Sequence, residues 1–198
     1  MSMKVLLMGE GRHPDGRIAA VMDSVLEGIR GEDATGEQMF LSDYSLSLCR
    51  QCVDGQGLCQ THGRCAQDDD LGRLIEMISL FDAAVFVSKV YVPDVHPRFR
   101  AMLDRLKRVR EFLAMPPLPK PALAVCIGGS ASSILDLFGQ SLSNCGFRIV
   151  EAIAVATRDV PLQREAFRSA GRRLTQHCLA RNASITDEKS RRRHQMKK

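Results

Sequence analysis

The stretch Ala83-Ala84-Val85-Phe86-Val87 is an unbroken apolar run of strand length, the composition of a strand buried on both faces. Before it, Leu71, Leu74, Ile75 and Ile78 recur at helical spacing behind Asp68-Asp69-Asp70, which offers an N-cap and first-turn carboxylates. After it, Ser88 to Pro97 reads as a loop, and Phe99, Met102, Leu103, Leu106 and Leu113 mark the apolar face of another helix. A doubly buried strand between two amphipathic helices is the repeating unit of a parallel sheet covered on both sides.

The same unit extends outward in both directions. Toward the N-terminus, Lys4 to Met8 is a buried strand and Gly9 to Gly16 a loop. Ile18, Val21, Met22 and Val25 follow on one helix face that ends near Gly28 and Gly31, and a weak strand lies near Gln38 to Leu41. Toward the C-terminus, the proline-rich segment Met115 to Pro121 breaks the helix, and Ala122 to Ile127 forms a strand. Ile134, Leu137, Phe138 and Leu142 mark a helix, and Phe147 to Val155 is a fifth strand. Pro161 suits an early position of the last helix, expected to run to about Arg181. Five strands alternating with helices predict right-handed crossovers and an α/β three-layer sandwich. Ligands of such sheets bind at the carboxyl ends of the strands, so the loops after Met8, Val87 and Ile127 are the ones to inspect.

The 198 residues suit one domain, 1–181, followed by a basic tail at 182–198. That tail holds six basic and two acidic residues within a net charge of +5. Its functional reading is weak contact with nucleic acid or another polyanion; its low apolar content favours a solvated, disordered end. No apolar run reaches the ~18–20 residues that span a bilayer. No secretory pattern opens the chain, so a cytoplasmic address is expected, with no membrane partner.

The first of the three loops, Gly9 to Ile18, leads straight into a helix. Its glycines, Gly11 and Gly16 among them, allow backbone N–H groups to approach an anion at a positive helix end, and Arg12 and Arg17 can pair with phosphate oxygens. The second, Ser88 to Val95, carries Tyr91, one of two tyrosines in a chain without tryptophan. It can lie against a flat ring or be a half-buried residue at a strand end. The third, Gly128-Gly129-Ser130, offers backbone contacts to a flat ligand or a plain helix N-cap.

These loops resemble those of the NAD(P)H-dependent FMN reductase family, including its iron–sulfur flavoprotein branch. The family's middle loop commonly reads S-P-V-Y-F-G-S-V-S-A, followed by a helix ending F-L-D-R. Ser88 to Arg105 reads SKVYVPDVHPRFRAMLDR, keeping Ser88, Val90, Tyr91, Val95, Ala101, Leu103, Asp104 and Arg105. The family's cysteine segment ends in G-x-C before a D-D pair; Gly63-Arg64-Cys65 and Asp68-Asp69-Asp70-Leu71 are similar. The resemblance covers about Met3 to Arg181. It implies a flavodoxin-like fold with a five-stranded parallel sheet in the order 2-1-3-4-5. It implies FMN with its phosphate near Arg12, Gly16, Arg17 and Ile18, its ring along Lys89, Val90, Tyr91 and Val92, and Gly128 and Gly129 opposite. NAD(P)H as co-substrate, a small-molecule or redox-protein electron acceptor, and a homodimer or tetramer are implied as well.

The chain departs from the pattern in the phosphate loop. Where the family reads G-S-P-R and then N-T, Glu10 replaces serine, Gly11 proline, Arg17 asparagine and Ile18 threonine. Two hydroxyl donors are lost, each worth about 1.5–3 kcal/mol to a charged group. A carboxylate enters a dianion site, so Glu10→Ser is expected to tighten FMN binding if Glu10 faces the phosphate. Lys89 replaces proline and Pro93 glycine in the middle loop.

Seven cysteines without a secretory signal argue against a disulfide framework. Cys126, Cys145 and Cys178 sit in apolar periodic segments as small core residues. Cys49, Cys52, Cys59 and Cys65 fall in one polar loop, about Ser47 to Ala66, where four thiols can hold a [4Fe–4S] cluster or zinc, or stand as reduced thiols. The iron–sulfur branch has two residues between its second and third ligands, where this chain has the insertion Val53 to Leu58. Three functions follow: an FMN-dependent NAD(P)H oxidoreductase, an iron–sulfur flavoprotein serving as an electron carrier, or a flavin-free scaffold.

Overall fold

The computed structural model describes residues 2–12, 16–31, 34–52, 57–91, 94–112 and 119–195, with the side chains of 110–112 and 182–195 left out of the description. Within these residues the strands are β1 (Met3–Gly9), β2 (Ala34–Phe40), β3 (Ala83–Tyr91), β4 (Asp94–Val95), β5 (Lys120–Ile127) and β6 (Phe147–Val155). The helices are α1 (Arg17–Arg30), α2 (Leu58–Thr61), α3 (Leu71–Ser79), α4 (Pro97–Phe112), α5 (Ala131–Asn144) and α6 (Arg164–Gln195). The long strands form a parallel sheet in the order β2-β1-β3-β5-β6, which is the expected 2-1-3-4-5 order. A sixth, two-residue strand is the addition: β4 folds back antiparallel on the end of β3, pairing Val90 with Val95 and Tyr91 with Asp94.

Side-chain alternation divides the core in two. Val5, Leu7, Ala83, Val85, Val87, Leu123 and Val125 face one side, where α1 supplies Val21, Met22 and Val25 and α6 supplies Phe167, Ala170 and Leu174. Leu6, Met8, Ala84, Phe86, Ala122, Ala124 and Cys126 face the other, against α3, α4 and α5. At the centre of that second layer, Phe86 meets Phe99, Phe138 and Phe147 edge-on at centroid distances of 6.2, 6.4 and 4.8 Å. The unbroken apolar reading of Ala83 to Val87 is explained by this double coverage: every side chain in it is buried.

Element ends differ from the sequence expectation in three places. β3 runs on to Tyr91, so part of the expected loop is the hairpin that presents Tyr91. Pro161 lies in a 3-10 segment, Thr157–Gln163, ahead of α6. The last helix continues past Arg181 to Gln195. Among the described residues no helix is long and apolar enough to cross a membrane.

Candidate functional site

The three strand-end loops meet at the carboxyl edge of the sheet, and two contacts tie them together. Glu10, at the end of β1, reaches across to β3, where its Oε1 accepts the Lys89 backbone N–H at 2.9 Å. Gly128, at the end of β5, lies so close to β3 that a Cβ built there would stand 3.1 Å from Val90 Cβ. The spacing of Gly9, Lys89 and Gly128 in the sequence gives no sign of this; the register of β1, β3 and β5 produces it.

At the phosphate-loop end, Gly16 adopts a left-handed conformation, φ 63°, as the residue before α1. Only glycine takes this geometry without cost, and a Cβ here would meet nothing within 4 Å. Among the described residues the space beside Gly16, at the helix start, is open. The first-turn N–H groups of α1, from Arg17 onward, point into that space by helix geometry, with the positive end of the helix dipole behind them. Arg17 stands half-buried as the first helical residue. Ile18 is buried in the core and packs under Gly9, so its side chain is structural and only its backbone can serve an anion. Arg12 turns outward: its Nη1 lies 2.5 Å from Asp43 in an exposed ion pair, and the guanidinium sits 4.3 Å above the Phe40 ring. Gly11 abuts Ser42.

On the ring-loop side, Tyr91 is 42% exposed and meets His96 edge-on at 4.8 Å. Lys89 and Val90 are half-buried, Gly128 is half-buried and Gly129 exposed. Val92 and Pro93 lie outside the described residues. The hairpin is closed by Ser88, whose hydroxyl accepts the His96 N–H at 3.3 Å and donates to the Lys89 carbonyl at 3.0 Å.

Glu10 does not stand in the open space beside Gly16. Its side chain is fully buried beneath the loops, acting as a strut from β1 to β3. Burial pushes its carboxyl up to about 7, partly offset by the backbone N–H groups of Lys89 and of Glu10 itself, by the nearby Ser88 hydroxyl and by the Lys89 charge.

The second site is the cysteine loop. Cys49, Cys52, Cys59 and Cys65 all line one cavity of about 300 Å³, together with Gln67, Arg105 and Arg108. Cys59 rides on the short helix α2. Gly57 makes room: a Cβ there would sit 3.4 Å from the Cys59 sulfur and 3.5 Å from that of Cys52. Residues 53–56, most of the insertion, are outside the description. Among the described residues no three His, Cys, Asp or Glu side chains close to the spacing of a single bound metal ion. His62 is engaged with Thr61 at 2.8 Å.

The loop is pinned by two residues read as helix-start carboxylates. Asp69 does accept the Leu71 N–H at 3.3 Å, but its main partners lie elsewhere. It takes a two-pronged bond from Arg105 on α4 at 2.6 and 2.8 Å and the Ser47 N–H at 3.0 Å. Asp70 accepts the Ser45 N–H at 2.7 Å. Arg105 is 1% exposed, and its Nη2 also donates to the Cys65 sulfur at 3.2 Å. Burial alone would raise the Asp69 carboxyl; Arg105 and the two backbone N–H groups outweigh it and hold it below its ordinary value. The same pairing, with Cys65, lifts Arg105 against its own desolvation. Sequence reading missed this pair. Its one signal was that both the D-D pair and the Arg of the L-D-R motif, Arg105, belong to the resembled pattern.

The remaining cysteines are core residues. Burial pushes the Cys126 thiol up to about 12 and that of Cys178 to about 11, and Cys145 donates to the Leu103 carbonyl at 3.3 Å.

A family model described as NADPH-dependent FMN reductase matches residues 3–160. The chain belongs to that family. An iron–sulfur flavoprotein of Methanocaldococcus jannaschii is 25% identical over 157 residues, covering 79% of this chain and 78% of that protein. An iron–sulfur flavoprotein of Archaeoglobus fulgidus is 25% identical over 115 residues, 58% of this chain and 47% of that protein, so the match spans about half its length. Among solved structures, an NAD(P)H:quinone oxidoreductase from Methanothermobacter marburgensis superposes with a TM-score of 0.67 at 18% identity, covering 88% of this chain and 100% of that one. At that identity the likeness speaks for the fold.

Proposed function

We propose that the protein is an FMN-dependent oxidoreductase that takes a hydride from NAD(P)H and passes electrons to a small acceptor. The observation that carries this is the joining of the three strand-end loops, with open space over Gly16 and Gly129 and the α1 N-terminus facing it. In this reading Gly16, Arg17 and the α1 backbone hold the FMN phosphate, and Lys89, Val90, Tyr91, Gly128 and Gly129 flank the ring. Arg12 joins the phosphate by leaving Asp43, an exposed pair worth at most about 1 kcal/mol. FMN, when bound, supplies hydride acceptance and one- or two-electron storage. The protein's part is to bind and orient it, and no side chain is assigned as a proton donor. The acceptor is a small quinone-like molecule or a redox protein, and the working unit is a cytoplasmic homodimer or tetramer.

A second reading adds a [4Fe–4S] cluster on Cys49, Cys52, Cys59 and Cys65. Its support is the one cavity that all four line and the N–H that Arg105 donates to the Cys65 sulfur in its wall. A cluster supplies one-electron transfer.

The test is anaerobic purification, a visible spectrum, and iron and sulfide assays on one sample. Two flavin bands and acceptor-dependent NAD(P)H oxidation are expected. A colourless protein that takes up neither added FMN nor iron and sulfide overturns both redox readings and leaves the scaffold.

A further inference from the structure

We propose that Arg105 sets the reduction potential of the centre held by the cysteine loop, and that Asp69 is the residue that positions it. The inference rests on the cluster reading above and adds a role for a side chain outside the four thiols.

The Arg105 guanidinium is carried from α4 into the wall of the cysteine cavity. It has five N–H donors in a fixed fork. Nη1 serves Asp69 and the Ser47 carbonyl, and Nη2 is shared between Asp69 and the Cys65 sulfur. Nε is buried without a partner among the described residues. A buried ion pair is a poor source of stability, since an apolar pair of the same volume often does as well. This one places a positive charge and an N–H against a sulfur that lines the cavity. Hydrogen bonds to cluster sulfurs and nearby charge are the means by which a protein shifts such a potential.

The direction follows from charge. Reduction adds one electron to the centre and neither makes nor breaks a bond in the protein. The reduced form is more negative, so the cation beside Cys65 favours it and raises the potential. Asp69 fixes the fork at two points, which keeps Nη2 on the sulfur in preference to other rotamers.

The experiment uses the full chain, purified anaerobically and reconstituted with ferrous iron and sulfide. Iron and sulfide are counted, and the midpoint potential is read by spin resonance during titration with dithionite. Arg105→Gln is expected to weaken reduction at least tenfold, which for one electron is about 59 mV more negative. Arg105→Lys, which keeps the charge, should recover most of that difference. Arg105→Gln leaves Asp69 buried and unpaired and risks misfolding, so the exchange of both, Asp69→Asn with Arg105→Met, is measured alongside it. That exchange removes one charge of each sign, so the lost N–H to Cys65 is what remains, and a smaller downward shift is expected there. A full complement of iron with a potential unchanged within twofold in whichever of these variants folds overturns the role of Arg105 and leaves the cluster reading standing. Wild-type protein that binds under one iron per chain overturns the cluster reading, and this proposal with it.

Discussion

Glu10 and Arg105 are the two charged residues buried to 1% exposure or less among the described residues, and they resolve the same problem in opposite ways. Arg105 has Asp69 within 2.6 Å, and both groups are driven further into their charged forms. Glu10 is met by two backbone N–H groups, a hydroxyl and one lysine charge, and burial dominates, so its carboxyl rises to about 7. One region is therefore a fixed-charge anchor for the cysteine loop. The other is a junction of two strand-end loops, where burial holds the carboxyl's pKa near neutral. A buried charge stays a charge only when a full partner is brought to it.

The largest effect should come from breaking the anchor. Asp69→Ala leaves Arg105 charged and unpaired, and removing one partner of a buried pair costs about 3–5 kcal/mol. Urea unfolding should lose that much stability, and a loss under about 1 kcal/mol would mean that the pair is solvated in solution.

The next effect belongs to Glu10 and is read in pH. Its ordinary pKa is 4.5 and its folded value about 7, so between these the folded chain binds more protons than the unfolded one. Its contribution to stability is fully present below pH 4.5 and is lost as pH rises through 7. The size is on the order of 3 kcal/mol. Glu10→Gln should remove this slope, so the stability difference between variant and wild type grows from pH 5 to pH 8 in the variant's favour. A difference that stays flat across that range would show that Glu10 is solvated or finds a cation.

A smaller effect separates the two regions. Gly16→Ala forces a left-handed residue with a Cβ, at about 1–2 kcal/mol, although the added methyl meets no neighbour. FMN affinity should fall while the iron content after reconstitution is unchanged. A parallel fall in iron would show that the two loops fold as one unit.

The doubly covered strands and the strand-end loops were legible in the sequence, because apolar runs and helical spacing are local signals, while the sheet order came with the family resemblance. The grouping of the four cysteines in one cavity also follows from their being neighbours in one loop. What did not show is everything made by register and by long-range pairing. Asp69 and Arg105 are 36 positions apart, and nothing local says that the carboxylate serves α4 before its own helix. Arg12 reads as a phosphate ligand until Asp43, 31 positions on, is found beside it. Ile18 fits both the core and the phosphate loop by spacing; only its burial under Gly9 decides.

Glu10 is the sharpest instance, and it gives the smallest and most discriminating prediction. Read as a residue of the phosphate loop, it should repel the dianion, and Glu10→Ser should tighten FMN. In the structure its carboxyl is a strut to the Lys89 N–H, so serine would remove an acceptor that shapes the ring loop as well as a charge. Glutamine separates the two roles, since its carbonyl still accepts from Lys89 while the charge is gone. At pH 8, where Glu10 is ionised, Glu10→Gln should bind FMN more tightly by about 1 kcal/mol or less, a factor of up to ~5. At pH 5.5, where Glu10 is already neutral, the two proteins should bind alike, and Glu10→Ser should bind more weakly than either at both values. Fluorescence titration of FMN into the three apoproteins reads all of this. The ionisation of the FMN phosphate is common to them and cancels in the ratios. If serine tightens binding as much as glutamine, the strut carries no weight and Glu10 acts on the phosphate by charge alone.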